Sequence, residues 1–418
     1  MKALSKKQLI EAVVGFALIA LVLVLGFTGV LAGMVFVKTL IGLGLGYALT
    51  RGDYGFAGLS NRTCRKGSTK LIRSLMLMFV VSSIIVGALL VSGKIAVTNL
   101  WINPISWGLL IGGILFGIGM AFSSCCATGV LQDFPLGFSR ALITIVFFGI
   151  GVFLGFPLMS TGFAQNSLFA SASDPNGVWF VDWFSNGGTN LVNGVVGAIL
   201  LTVLLAVGVG ALAKWYEKKI SKNFTPEVVA VEVEEVSVWN KFFVKKWSMT
   251  QTALVIAILF GAIYAVSSAG LGASTVYGNW FGTILVKFGA DPANLAAWTG
   301  RPESSFTTAL FASSGYMQNV GIIVGAFVGL LLSGRFTDAF KSGLKIKPLE
   351  ILLFVAGGLL LGFGTRLSLG CNVGALYTPI ANFSLAGWFY FFFLFFGGWI
   401  GNKIRKAFYV KVDTTKIA

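Results

Sequence analysis

The chain has 418 residues, enough for two or three soluble domains, but 56% are apolar, 11% are charged and the mean hydropathy is +0.86. A soluble domain is about one quarter charged, so this composition excludes a soluble globular protein and fits a membrane one. Histidine is absent, which excludes imidazole metal ligands, His-based triads and His proton relays.

Met1–Lys7 carries Lys2, Lys6 and Lys7 and leads into an apolar run to Leu25. The run resembles a signal peptide but continues into Gly-rich apolar sequence without a clear small-residue cleavage site, and reads as a retained first helix. Hydropathy then places spans near 9–27, 29–50, 71–93, 107–122, 138–158, 189–213, 249–268, 318–333, 349–367 and 385–402. The chain is therefore expected to be an all-α polytopic membrane protein with about ten spans. Its lipid partner is the bilayer itself.

The net charge of +16 would suggest nucleic acid in a soluble protein, but 26 of the 31 Lys and Arg residues fall in six places beside the spans. These are the N-terminus, Arg51–Arg73, Arg140, Lys214–Lys246, Arg335–Lys347 and Lys403–Lys416. The pattern sets topology and predicts no nucleic-acid partner: basic clusters and both termini are cytoplasmic. Met159–Gly188 and Ala269–Met317 are then outer loops. Lys214–Ser248 mixes both charge signs and reads as a cytoplasmic linker between a first half, 1–213, and a second, 249–418.

The halves share a motif. Gly113, Gly117, Gly119, Ser123, Cys126 and Gly129 recur, 245 residues later, as Gly358, Gly362, Gly364, Ser368, Cys371 and Gly374, and Leu115 matches Leu360. The charge trace sends the two copies through the membrane in opposite directions, an inverted-repeat transporter architecture with its substrate site near the midplane. Each copy is an apolar helix that breaks at Ser123-Ser124-Cys125 or Ser368-Leu369-Gly370, followed by a short segment stopped by Pro135 or Pro379. About eight helical residues span about 12 Å, too little to cross a bilayer, so these are expected to be short re-entrant half-helices.

The first turn of such a half-helix has unpaired N–H groups and suits an anion. Cys126 and Cys371 sit there, and a thiol is a weak, polarisable donor that suits a sulfur-bearing anion better than a strongly hydrated one. The alternative role is that of a small residue permitting close packing. Cys125, Ser123, Ser368 and Asn372 complete the candidate path. Arg366, five residues before Cys371, either attracts the anion at the outer mouth or reaches to the interface. Cys64 lies between Arg62 and Arg65-Lys66, which should favour a reactive thiolate, the alternative being an incidental loop thiol. The four cysteines make neither a CxxC pair nor a disulfide framework, and no phosphate-binding loop occurs. Neither catalytic residues nor a metal or other cofactor is expected.

The stretch Phe116-Gly-Ile-Gly-Met-Ala-Phe-Ser-Ser-Cys-Cys-Ala-Thr-Gly129 resembles the YeeE/YedE family of bacterial membrane proteins. So do Gly362-Phe-Gly-Thr-Arg-Leu-Ser-Leu-Gly-Cys-Asn-Val-Gly-Ala375 and Ser384-Leu-Ala-Gly-Trp388. The resemblance implies uptake of thiosulfate or a related sulfur compound, with Cys126 and Cys371 passing it along by S–H contacts. A third cysteine of the family falls in a motif resembling Arg51-Gly-Asp-Tyr-Gly-Phe-Ala-Gly58, where this chain has Gly55. That departure leaves Cys125 as a substitute and a selenium compound as an alternative cargo. Two other readings stand beside transport: a membrane-embedded thiol–disulfide protein, and a sulfur-handling module that docks a cytoplasmic sulfur-carrier protein on its basic loops.

Overall fold

A computed structural model describes residues 5–171, 176–185, 190–220 and 239–415. Ten helices among these residues are long and apolar enough to cross a membrane, and each coincides with an expected span. The first half contributes α1 (Lys6–Phe27), α2 (Met34–Gly52), the short α3 (Gly58–Lys66), α4 (Lys70–Val91), α5 (Trp107–Ser123), α6 (Ala127–Gln132), α7 (Phe138–Ser160) and α8 (Leu191–Ile220). The second contributes α9 (Met249–Ser267), α10 (Thr275–Lys287), α11 (Ser314–Leu332), α12 (Pro348–Leu367), the π-helical α13 (Asn372–Tyr377), α14 (Thr378–Ala381) and α15 (Leu385–Thr415). Most of the expected linker, 221–238, lies outside the described residues. So does Asp174 in the first outer loop. No strand forms among the described residues; two isolated bridges tie Ser106 to Ser171 and Trp179 to Ser384.

Small residues set the central packing. A Cβ at Gly119 would fall 2.9 Å from the Gly357 carbonyl, and one at Gly364 would fall 3.0 Å from that of Gly112. Helices α5 and α12 therefore cross backbone to backbone and run antiparallel, and their contacts map onto each other under the 245-residue shift. Helix α5 packs in parallel on α15, with Gly113 against Tyr390 and Gly117 against Leu394–Gly398. Helix α12 packs the same way on α7, with Gly358 against Thr144–Phe148 and Gly362 against Phe148–Val152. Close approach of this kind is how helices associate in lipid, where apolar burial gives no advantage.

Polar residues near the ends stitch the perimeter. The buried Glu11 carboxylate accepts the Phe336 and Thr337 amides at 3.3 and 3.1 Å, the free N–H groups that open a short helix. Lys7 pairs with Asp338 at 2.8 Å, so the start of α1 and the segment before α12 share one face.

Two expectations about connections need correction. The segment 269–317 is not simply a loop: it carries α10, which at 13 residues is too short to span but packs on α7. Pro379 does not stop the second short segment; it lies in the first turn of α14, which runs on directly from α13 with the Thr378 amide donating to the Val373 carbonyl. Ser384 is fully buried, and 178–180 close over it: Phe180 N–H donates to Phe383, Leu385 N–H to Val178, and Trp179 Nε1 to Asn382 O.

Candidate functional site

The two motifs build one geometry twice. Helix α5 ends at Ser124 with φ 60°, and α12 ends just before Leu369 with φ 58°. Left-handed backbone is uncommon outside glycine and disfavoured by about 1–2 kcal/mol, so both helices are terminated at matched, strained residues. Ser123 and Ser368 hold the breaks. Each hydroxyl donates to the carbonyl four residues back, Gly119 at 2.8 Å or Gly364 at 2.7 Å, and reaches the carbonyl two residues on, at 3.3 Å to Cys125 or 2.8 Å to Gly370. Both hydroxyls are thus engaged by backbone carbonyls at the break.

After each break the chain becomes extended at a cysteine and re-enters a helix. Cys126 and Cys371 are both N-cap residues, and their carbonyls accept the amides of Val130 and Ala375 at 2.8 and 2.7 Å. Cys126 Sγ also accepts the Gly129 amide at 3.3 Å and lies 3.6 Å from Thr128 Oγ1, whereas the Cys371 side chain makes no capping bond. Both cysteines are 1% exposed. They are within electrostatic reach of each other, with Tyr277 and Tyr390 beside them. Tyr277 donates to the Ala127 carbonyl, so α10 clamps the start of α6. The six residues of α6 extend about 9 Å.

A cleft of about 420 Å³ is lined in part by Cys125 and Cys126. Its walls include Tyr54, Asn61, Arg65, Gln132, Asp133 and Arg140, polar residues that sequence reasoning did not assign to the site. One signal was legible: Asp133 and Arg140, seven residues apart around a Pro-Gly turn, pair at 2.7 Å, so Arg140 is more than a topology charge. Burial raises the Asp133 carboxyl above its ordinary value while Arg140 draws it down. Gln132 donates to the Leu49 carbonyl at 3.1 Å and Asn61 to that of Met120 at 3.2 Å. Gly55 also lines the cleft, and a Cβ there would meet no atom within 4 Å.

Asn372 donates Nδ2 to Met120 Sδ at 3.1 Å, and its Oδ1 is buried without a hydrogen-bond partner. Arg366 does not reach to the interface: it is 5% exposed. Its guanidinium donates to Thr275 Oγ1 at 3.2 Å and Ser274 Oγ at 3.3 Å, at the start of α10. It also lies 5.5 Å from the centre of the Phe156 ring, which Arg301 approaches at 5.4 Å. Among the described residues no carboxylate pairs with Arg366. A buried cation with hydroxyl partners and no counter-charge is equipped to meet a mobile anion.

The expected reactivity of Cys64 is not supported. The thiol is half-buried, and burial raises its pKa above the ordinary value, with Arg65 opposing only in part. Arg62, the other expected activator, is engaged by Asp53, with its guanidinium 3.2 Å from the carboxylate. All four cysteines are free thiols.

A sequence profile described as "Sulphur transport" matches residues 51–400. The chain is 25% identical over 296 residues to the thiosulfate transporter TsuA of Spirochaeta thermophila, covering 70% of this chain and 76% of that protein. Against the thiosulfate transporter TsuA of Escherichia coli it is 23% identical over 389 residues, 90% of this chain and 94% of that one. Against the probable transporter YedE of Salmonella typhimurium it is 26% identical over 191 residues, 43% of this chain and 45% of that one.

Proposed function

The chain belongs to the sulphur-transport family, the YeeE/YedE group its motifs resemble, and from that premise we propose that it imports thiosulfate across the bacterial inner membrane through a path at Cys126 and Cys371. The observation that carries the reading is the pair of buried N-cap cysteines at matched helix breaks, one of them lining a polar cleft. Two relatives, 25% and 23% identical to the chain, are named thiosulfate transporters. A helix start offers an anion unpaired N–H groups, while a thiol offers a weak donor that accommodates a terminal sulfur at little cost.

In this mechanism Arg366, with no carboxylate partner, draws the anion toward the centre. The anion sheds water as it passes the first turn at Cys371, then that at Cys126, and leaves through the cleft walled by Asp133 and Arg140. The thiols do not exchange bonds with it. Antiparallel crossing of α5 and α12, with contacts reciprocal under the 245-residue shift, supports two inverted halves, 1–213 and 249–418, each with a re-entrant segment. Basic clusters and both termini face the cytoplasm in this arrangement. The reading is tested by radiolabelled thiosulfate uptake into liposomes reconstituted with the purified protein. Saturable, protein-dependent accumulation that unlabelled thiosulfate abolishes is expected; uptake no faster than in empty liposomes overturns it.

A further inference from the structure

Residues of α3, α4, α8 and α15 line two concavities, the first of which shares Arg65 with the cysteine cleft. The first, of about 680 Å³, is lined by Arg65, Lys403, Arg405 and Lys406, with Cys64 and Asn402 between them and no acidic side chain among the described residues. The other, of about 390 Å³, is lined by Leu212, Trp215, Trp388, Phe391, Phe392 and Phe395 among its apolar residues. Thr63 and Tyr216 belong to both walls, so the basic space adjoins the apolar one.

The charges are arranged as well as concentrated. Arg65 Nη2 and Arg405 Nη1 both donate to the Ala121 carbonyl, at 2.8 and 3.0 Å, while Arg65 Nη1 and Arg405 Nη1 donate to Ser124 Oγ, at 3.3 and 2.6 Å. Two guanidiniums therefore converge on the broken end of α5 with no carboxylate between them. Lys403 Nζ stands 3.7 Å over the centre of the Trp399 ring, a cation–aromatic arrangement suited to the headgroup level of a bilayer. Below it, Leu212, Trp215 and Phe392 are 67, 62 and 67% exposed.

We propose that this composite pocket binds an anionic glycerophospholipid, its phosphate among the four cations and an acyl chain in the groove between α8 and α15. A basic pocket between spans is the form that acidic headgroup recognition takes. The apolar extension commits the site to a lipid rather than a free anion, because a soluble oxyanion has nothing to place there. Bound lipid would lie against the two arginines that hold the α5 break, and so brace the backbone immediately before Cys125.

Native mass spectrometry and thermal unfolding of the purified protein with phosphatidylglycerol, phosphatidylcholine or inorganic phosphate test the assignment. Saturable phosphatidylglycerol adducts and a higher unfolding temperature are expected, with phosphatidylcholine much weaker and phosphate inert. The double variant Lys403→Gln/Lys406→Gln should weaken phosphatidylglycerol about 30-fold, at about 1 kcal/mol per cation, with thiosulfate handling preserved. A groove variant, Phe392→Ser, should weaken lipid without changing the charge. Equal binding of the two lipids, or unchanged phosphatidylglycerol binding in the lysine variant, overturns the proposal. Stabilisation by inorganic phosphate equal to that by phosphatidylglycerol makes it a free-anion site and overturns it too.

Discussion

Replacing Cys126 with serine separates the two roles a buried N-cap cysteine can have. Its Sγ accepts the Gly129 amide at 3.3 Å, lies 3.6 Å from Thr128 Oγ1 and is 1% exposed. Serine is among the preferred N-caps, so Cys126→Ser keeps the cap, and unfolding should change by less than about 0.5 kcal/mol. Cys126→Ala removes the cap and should cost about 0.5–2 kcal/mol. Transport should move in a different pattern. A hydroxyl donates well to oxygen, so the serine variant loses the advantage of terminal sulfur over oxygen. In the wild type, sulfate exchanges strong water contacts for poor thiol ones; one unpaired buried polar group costs about 1–3 kcal/mol. That corresponds to about 5- to 150-fold preference for thiosulfate. The assay is inhibition of labelled thiosulfate uptake by excess sulfate or unlabelled thiosulfate in reconstituted liposomes, alongside thermal unfolding. The expected result is a serine variant as stable as the wild type, with the preference narrowed toward unity. Wild-type selectivity in that variant would refute the reasoning, because Cys126 would then be a cap and nothing more.

Arg366→Gln removes a buried charge that no described carboxylate balances, so stability should hold or rise. The half-saturating thiosulfate concentration should nevertheless rise about 10- to 150-fold, the value of a charge-assisted contact; an unchanged concentration would make Arg366 structural. Asp133, raised by burial, should gain a proton as pH falls through its elevated pKa, leaving Arg140 less neutralised. Thiosulfate binding, followed by isothermal titration, should therefore strengthen toward acid pH, and Asp133→Asn should flatten that dependence. For topology, single cysteines at the exposed positions Lys94, before α5, and Lys345, before α12, should react with an impermeant thiol reagent from opposite sides; labelling from one side would contradict inverted halves.

The spans were legible because lipid demands long apolar helices and lets no other backbone lie exposed. All ten appear where hydropathy placed them. The helix breaks were legible for a different reason: the 245-residue repeat marks Ser123 with Ser368 and Cys126 with Cys371, and the matched positive φ of Ser124 and Leu369 follows that register. What sequence could not reveal was set by tertiary contact. Ser123 and Ser368 face their own backbone, not open space, because a helix break leaves carbonyls that a hydroxyl satisfies at once. Cys64 looked activated by three neighbouring cations, yet Arg62 is drawn to Asp53 and burial outweighs Arg65. Arg366 looked long enough to reach water, but the hydroxyls of Ser274 and Thr275, 92 and 91 residues away in sequence, hold it inside. The rest of the cleft wall, beyond Asp133 and Arg140, was invisible for the same reason, since Tyr54, Asn61 and Arg65 come from segments that only folding brings to it.

The central claim is that the matched cysteines are the passage and not merely small residues at a helix start. Cys371 tests it most cleanly, because its side chain makes no capping bond, so alanine there removes the thiol and little else. Initial rates of labelled thiosulfate uptake should be measured for the wild type and Cys371→Ala at equal reconstituted amounts, with matched unfolding temperatures as the control. The account predicts loss of most protein-dependent uptake in a variant that unfolds within a few degrees of the wild type. Uptake by Cys371→Ala at the wild-type rate would contradict it.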